Sequence, residues 1–344
     1  MSLELYTPDY SNRYEISHAI SVQMSYYYND IGKIILVLPV SDYNIAALKN
    51  DSIVYDTVKK FCYIIKNVKT DTTQNRITAN GFTTNWFLSK RIIAAAEKVT
   101  KVESGVYSVV NNNLRGMTRV LTSPLKGLTE RTNIKLYGGT VIDEIMPVLN
   151  SAELGQRMVW DYRNEQHIFE IYKGADLTSG IHGVTFSDEQ GTAQNLVIDE
   201  DVSTFKNVAY VKSTFKSGDV ETDLVEIVGT STGDDRHETW FDISLSPDDG
   251  ETEETFREKM RVHGAMELGK LIKRQTFNVV IDPAELGVLY NIGDVVSCVS
   301  KRFGVKFNAR ISGIKYKKDA HSETTEVVLG EPILTSIGEV KLIG

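Results

Sequence analysis

Residues with the types and spacing of a catalytic or ligand-binding site are rare in this sequence of 344 residues. The segment from Gly264 to Leu271 matches the phosphate-binding loop pattern except at its last position, where Leu271 replaces the Ser or Thr that would hold magnesium. The segment also falls inside a predicted helix, whose backbone amides are already hydrogen-bonded. Small residues that allow close packing are therefore the better interpretation.

The histidines follow no pattern of a metalloprotease or hydrolase. His237 and Glu238 lack the second histidine, three residues further on, that a zinc protease helix needs. His18 falls on the apolar face of a predicted strand, where we expect a hydrogen-bonded core histidine rather than a ligand.

A run of acidic residues invites comparison with a calcium-binding loop. Its members are Asp248, Asp249, Glu251, Glu253 and Glu254. The alternate spacing of oxygen ligands is absent, and Gly250 comes too early for the sharp turn of such a loop. A solvated loop whose charges favour the start of a helix is the preferred interpretation.

Asp161 and Glu165 flank a predicted hairpin turn and could form a carboxylate pair for sugar hydrolysis. Sequence spacing does not give the distance between the two carboxylates, and acids at an exposed turn are the ordinary case. We therefore predict no enzyme activity, no catalytic, cofactor-binding or metal-binding residue, and no cofactor.

Composition indicates a soluble, multidomain protein. The formal charge of −8 argues against a general nucleic-acid binder, which needs clustered Lys and Arg. Cys62 and Cys298 each lie in an apolar run, and we expect two buried free thiols, as suits a reducing compartment. The N-terminus has no signal-peptide pattern, and the longest apolar run, Ile34 to Val40, is too short to cross a bilayer.

The N-terminal hundred residues predict a β-barrel or sandwich followed by a helix. Polar and apolar residues alternate from Ile16 to Tyr26, which predicts one long, half-buried strand. Four further strands and two helical segments are predicted at Lys33–Pro39, Ser52–Tyr55, Phe61–Val68 and Arg76–Gly81, and at Asn44–Lys49 and Asn85–Glu97.

The middle of the chain predicts an α+β insertion. Residues 98–132 are expected to form an irregular connection. Thr140 suits the N-cap of a helix that ends at Leu149, although Pro147 lies within it. Arg157–Tyr162 and His167–Tyr172 then predict a hairpin.

The C-terminal part returns to strands and ends in a three-stranded meander over Tyr290–Pro332. The meander strands are predicted at Asp294–Ser300, Lys306–Lys315 and Thr325–Leu329. A long helix over Thr252–Gln275 interrupts the earlier strands, which are predicted at Asn207–Val211, Leu224–Val228, Thr239–Leu245 and Thr276–Ile281.

Three segments together resemble the hub proteins of long-tailed bacteriophages and prophages, the minor structural or tail-associated lysin N-terminal family. They are Asn75–Ile93, Asn207–Val211 and Tyr290–Val296, the last followed by the terminal Leu329-Gly330-Glu331-Pro332. The resemblance implies a mainly β, multidomain fold with two tail-tube-like antiparallel β-barrels and smaller inserted α/β domains. The implied domains are 1–100 (first barrel), 101–195 (α+β insertion), 196–245 with 276–344 (second barrel), and 246–275 (helical insertion).

The same resemblance implies a structural function. Three copies would form a ring that joins the six-fold tail tube to the tail tip and lets DNA pass through its lumen. The implied partners are the distal tail protein or tail tube above, and a tail fibre, lysin or tip proteins below, with no membrane and no specific nucleic-acid binding. The protein would lie in the virion tail after assembly in the cytoplasm of the bacterial host.

Two alternatives remain open at this stage. A carbohydrate- or receptor-binding β module would use exposed aromatic residues such as Tyr26, Tyr27 and Tyr28. A glycoside or peptidoglycan hydrolase would depend on the carboxylate of Asp161. Glycan binding without turnover favours the first alternative, and hydrolysis abolished by Asp161→Asn favours the second.

Overall fold

The fold is known from a computed structural model. It describes residues 2–333 apart from 17, 188, 190–193, 218–219, 249, 272–273, 282–284 and 303. Its first part contains β1 (Leu3–Tyr6), β2 (Arg13–Ile16), β3 (Ser21–Tyr27), β4 (Lys33–Pro39), α1 (Asp42–Ala47), β5 (Ile53–Asp56), β6 (Cys62–Asp71), β7 (Arg76–Thr83) and the 3-10 helix Thr84–Lys90.

The middle part combines helices with two small sheets. Its elements are β8 (Glu97–Lys101), α2 (Val102–Asn113), β9 (Val120–Thr122), β10 (Arg131–Leu136), α3 (Val141–Ser151), β11 (Gly155–Asp161) and β12 (Gln166–Tyr172). The side chains of α2 and α3 pack with those of the strands into one apolar core.

The last part is mostly β. Its elements are β13 (Thr185–Ser187), β14 (Gln194–Asp201), β15 (Val208–Ser217), β16 (Val220–Val228), the 3-10 helix Gly233–Asp235, β17 (Glu238–Asp242), α4 (Glu253–Leu268), β18 (Arg274–Ile281), β19 (Val295–Ser300), β20 (Val305–Lys318) and β21 (Glu323–Ile333).

One sheet of thirteen strands joins the two ends of the chain. Its order is β14-β18-β21-β20-β3-β4-β7-β6-β5-β1-β2; β19 pairs with β20 beside this path, and β13 pairs with β19. The mainly β class is therefore confirmed. The pairing follows an open path in the described residues, so the two predicted barrels are not confirmed, and the four-part domain division stays a prediction.

Strand β20 changes partner along one edge. Its first residues pair with β19 as far as Arg310, and Gly313–Lys318 then pair with Val22–Tyr27 of β3. The other edge of β20 pairs with β21 from Asn308 to Lys318, with two shifts of register. The predicted C-terminal meander is thus confirmed, and its central strand also connects it to the N-terminal strands.

The structure corrects the prediction for residues 16–26. Strand β2 ends at Ile16 and pairs with β1, whereas β3 begins at Ser21 and pairs with β4 and β20. Because the two strands have different partners, the chain leaves the sheet between them, and residue 17 lies outside the described residues. His18 is exposed in this connection, so the expectation of a core histidine is wrong.

The predicted helix over Asn85–Glu97 is also wrong. A short 3-10 helix ends at Lys90, and the chain then pairs its backbone with the residues that precede α3, through Ile92 with Thr140 and Ile93 with Gly139. Buried Asn85 fixes the start of this segment, because it accepts a hydrogen bond from the Thr83 hydroxyl and donates one to the Asp30 carbonyl.

Residues 98–132 are not an irregular connection, because they contain α2, β9 and parts of β8 and β10. Glu103 on α2 is buried and accepts hydrogen bonds from the backbone amides of Lys126, Gly127 and Leu128 at 2.5, 3.0 and 2.9 Å. A single carboxylate therefore ties the following loop to the helix, which a local pattern does not reveal.

Helix α3 and the hairpin β11–β12 are confirmed. The Thr140 side chain caps α3 by accepting from the Asp143 amide, and Pro147 is accommodated within the helix. Helix α4 is capped by Thr252 but ends at Leu268, earlier than predicted. Arg274 and Gln275 belong to β18, and the two residues before them lie outside the description.

A substitution at Gly313, where β20 begins to pair with β3, tests how much the stability of the sheet depends on the close approach of these two strands. A methyl group at Gly313 would lie 2.8 Å from the Tyr26 carbonyl oxygen and 2.3 Å from the Tyr27 ring, whereas one at Gly330 makes only ordinary contacts. We expect Gly313→Ala to lower the free energy of unfolding by about 1–3 kcal/mol through overpacking. Gly330→Ala is the matched control. Equal midpoints in guanidinium unfolding would contradict this expectation.

Candidate functional site

The segment that resembles a phosphate-binding loop lies within and just after α4. A methyl group at Gly264 would lie 2.3 Å from a methyl group of Val211 on β15. The glycine therefore allows the helix to approach the sheet closely, as the packing interpretation predicts. The helix hydrogen bonds already use the backbone amides that would hold a phosphate.

Acidic side chains of the run 248–254 form ion pairs with lysines of the same chain. The Lys259 ammonium lies 2.7 Å from Glu251 and 3.4 Å from Asp248, which also pairs with Lys135. The lysine thus takes the position that a metal ion would need. In the described part of the chain no group of three metal-ligating residues forms, and Asp249 lies outside that part.

Asp161 and Glu165 do not act as a pair. Asp161 accepts hydrogen bonds from Asn164 and from the Arg163 amide within its own turn, and the Asn164 side chain lowers its pKa. Glu165 binds Arg119 at 3.0 Å. A general acid for glycoside hydrolysis needs a raised pKa, and the turn has the opposite effect on Asp161.

The tyrosines proposed for glycan binding are mostly internal. Tyr26 and Tyr28 are buried, and the Tyr28 hydroxyl donates to the carbonyls of Glu153 and Tyr172. The burial of Tyr26 agrees with the alternation along β3, and neither tyrosine belongs to an exposed aromatic surface of the kind that a glycan-binding module would use. His237 lies against the Phe205 ring, and Glu238 pairs with Arg236.

The two cysteines are buried free thiols, as predicted. Burial raises the pKa of Cys298 to about 12 and also raises that of Cys62. The thiolate is the reactive form of cysteine, and the raised pKa values keep both side chains in the less reactive thiol form at neutral pH. Among the described residues no helix has the length and apolar character that a membrane crossing requires.

His167 was not predicted to be notable, yet it is fully buried where β12 meets the N-terminal part. Its Nε2 lies 2.9 Å from the Tyr10 hydroxyl, and its ring packs against Trp160 with centroids 4.6 Å apart. Burial, and secondarily the charge of Arg119, lower its pKa to about 3. The sequence signal for this burial is the alternation that places His167 on the same strand face as Phe169 and Ile171.

The surface best suited to function is one face of the sheet β16-β15-β17. Helix α4 covers the opposite face, where Val211, Leu224 and Phe256 form a small core. The open face carries four apolar or aromatic side chains, which we call the exposed sheet face. They are Tyr210, Val225, Ile227 and Trp240.

Strand register gathers these side chains into one patch. Tyr210 is paired with Ile227 on β16 and with Trp240 on β17, and the Tyr210 and Trp240 rings stack with centroids 6.3 Å apart. Trp240 remains 51% exposed and Ile227 52% exposed. Contiguous apolar surface of this kind marks a site of protein association.

Three ion pairs lie around the exposed sheet face. Lys212 lies 2.9 Å from Asp223, Lys216 lies 3.1 Å from Glu221, and Arg236 pairs with Glu238. Asp242, in register with Lys212 on the same face, is exposed and adds a carboxylate that a partner could bind. Among the residues that the structure describes, β16 pairs along one edge, with β15, so its other edge offers backbone groups to a further strand.

Comparison with known proteins identifies the family to which the chain belongs. A family model described as Siphovirus ReqiPepy6 Gp37-like protein matches residues 2–331. The chain belongs to this family. No curated protein matches the sequence.

Three solved structures of tail proteins share the fold. The tail protein from Neisseria meningitidis MC58 has a TM-score of 0.59 at 12% identity, covering 96% of both chains. The 43 kDa tail protein of prophage MuSo2 from Shewanella oneidensis has 0.57 at 12% identity, covering 96% of this chain and 97% of its own. Prophage tail protein gp18 from Listeria monocytogenes EGD-e has 0.54 at 13% identity, covering 96% and 94%.

The predicted resemblance to tail proteins of long-tailed phages is thereby confirmed. The family is one of siphovirus proteins, and the fold is shared with the three tail proteins. At these identities the structural neighbours establish the fold alone, so their assemblies are not transferred to this member of the family.

The buried His167 predicts a pH dependence. Because its pKa falls from 6.5 to about 3 on folding, the unfolded chain binds a proton between these values that the folded chain does not. The free energy of unfolding therefore decreases as pH falls below 6.5, by roughly 1.4 kcal/mol per pH unit. We expect His167→Gln to flatten this slope in unfolding measurements between pH 7 and 4.

His18→Gln is the matched control, because His18 is exposed. It should keep the wild-type slope. An unchanged slope in His167→Gln would show that other groups control the acid sensitivity.

Proposed function

We propose that the chain is a tail-tip or baseplate hub protein, three copies of which form a ring between the six-fold tail tube and the tail tip. The observation that carries the proposal is a fold shared with three tail proteins, two of them from prophages, over 94–97% of their chains. The partners would be the distal tail protein or tail tube above and fibre, lysin or tip proteins below. The protein would be assembled in the host cytoplasm and function in the virion tail.

In this proposal residues 1–100, and residues 196–245 with 276–344, form the two tube-like β units of each copy. The pairing of β20 with β3 supports this arrangement, because it fixes one unit relative to the other through backbone hydrogen bonds. Six such units from three copies would match the symmetry of a six-fold tube. Residues 101–195 and 246–275 would be insertions outside the tube-like part.

Contacts between copies would use apolar surface and strand edges. The exposed sheet face and the free edge of β16 supply both features side by side. A stable interface buries at least about 1,000 Å² in total, so the four side chains would be the centre of a larger contact. The net charge of −8 supports a lumen to which passing DNA does not adhere.

The mass in solution tests the ring. We expect light scattering on a sizing column to give a species three times the 38.5 kDa chain. Trp240→Lys should weaken its assembly by about 2 kcal/mol, or roughly 30-fold, because aromatic side chains at interface centres contribute most of the affinity. The fold should survive, since Trp240 lies outside the core.

Leu125→Lys is the control, because Leu125 is an exposed apolar residue in a loop of the middle part. It should leave the mass distribution unchanged. A wild-type chain that stays monomeric at every concentration would overturn a ring formed by this chain alone. A trimer that Trp240→Lys does not weaken would place the contact elsewhere.

A further inference from the structure

A cleft of about 480 Å³ lies where the three parts of the chain meet. The loop between β5 and β6 forms one side, the hairpin β11–β12 forms another, and the segment Leu286–Ile292 forms the third. We call it the junction cleft. Ligand sites often occupy such junctions, because several elements can each contribute a few side chains.

The interior of the junction cleft is apolar and aromatic. The ring of Tyr26 stacks on that of Phe61 with centroids 4.3 Å apart, and Met158, Tyr172 and Ile292 complete the walls. Its lining extends to the surface through Val58, which is 64% exposed. An occupant therefore needs an apolar or aromatic group to fill the cleft.

The charged residues that line the cleft are all basic. They are Lys59, Lys60 and Arg157. Arg157 pairs with Glu170 and lies over the Tyr172 ring, so its charge is largely satisfied. Among the described residues no carboxylate comes within ion-pair distance of Lys59 or Lys60, and Glu323, which lies near Lys59, is bound by Tyr316 and Lys318.

The two lysines are presented by an ordered turn. Buried Asp56 accepts hydrogen bonds from the amides of Val58 and Lys59 at 2.9 and 3.0 Å, and the Lys60 amide donates to its carbonyl. The Lys59 ammonium also lies 4.0 Å from the centroid of the Tyr316 ring. Little ordering of this loop is thus required when an anion binds.

We propose that the junction cleft docks a short acidic peptide segment that carries an apolar side chain and belongs to another protein. The carboxylates would bind Lys59 and Lys60, and the apolar side chain would enter between Tyr26, Met158 and Ile292. This goes beyond the hub function and does not depend on the ring. If the chain is a hub, the segment belongs to a neighbouring tail protein.

A second copy of the chain is a poorer occupant. Its most acidic segment, Asp248–Glu254, has its described acids engaged internally, with Glu253 on Arg257 and Glu254 on Arg261 in addition to the Lys259 contacts. With a net charge of −8, two copies also repel each other. An acidic segment of a different protein meets the same general repulsion but brings carboxylates that are free to pair.

The test uses the full chain and a labelled hexapeptide with a central Phe-Leu pair between two acidic residues on each side. Fluorescence anisotropy should report binding that salt weakens. The double variant Lys59→Glu/Lys60→Glu should bind at least about tenfold more weakly, because its carboxylates would face those of the peptide. Lys69→Glu, an exposed lysine on β6, is the matched control and should bind as wild type does.

Val58→Asp is a second variant, which keeps both lysines and should also weaken binding. A peptide with Lys in place of its acids should not bind. The proposal is overturned if the wild-type chain does not bind the acidic peptide, or if the double variant binds it equally well. It also fails if a hexamer of thymidine binds with the same dependence on Lys59 and Lys60, since the cleft would then be a general anion site.

The oligomeric state separates this inference from the ring. Sedimentation of the double variant should match that of the wild type. If the double variant dissociates an oligomer that the wild type forms, the occupant is a second copy and the proposed partner is wrong. The effect of Trp240→Lys on assembly is measured independently, so either proposal can fail without the other.

Discussion

The pairing of β20 with β3 is the contact on which the rest of the structure depends. Backbone hydrogen bonds between Gly313–Lys318 and Val22–Tyr27 join the two ends of the chain in one sheet. Gly313 makes this possible, because any larger residue would meet the backbone of Tyr26. The middle part then packs against strands whose relative positions are already fixed, and the junction cleft forms where all three parts meet.

Elements whose stability is mainly local could be predicted from the sequence. The C-terminal meander, the hairpin β11–β12 and the helix that begins after Thr140 each combine a clear periodicity with a turn or capping residue. In each case the local pattern and the tertiary contacts favour the same structure. The interpretation of Gly264 as a residue for close packing, made from its place in a helix, is also confirmed.

Elements whose stability comes from distant partners could not be predicted. Helix α2 ends in three consecutive asparagines, which are poor helix formers, but Asn113 is buried and binds Glu97 and the Val109 carbonyl. Ile92 and Ile93 fit a helical pattern in the sequence, but in the structure they pair with Thr140 and Gly139. The exposed sheet face escaped prediction for the same reason, because only the register of three strands brings Trp240 beside Tyr210.

The unit formed by β15, β16, β17 and α4 leaves and re-enters the large sheet at one point. Asp201 at the end of β14 lies directly opposite Arg274 at the start of β18. Residues 202–273 therefore occupy the position of a hairpin turn between two neighbouring antiparallel strands. The entropic cost of closing a loop rises only slowly with its length. The inserted unit could therefore be exchanged, enlarged or replaced by a tight turn without a change in the register of β14 and β18.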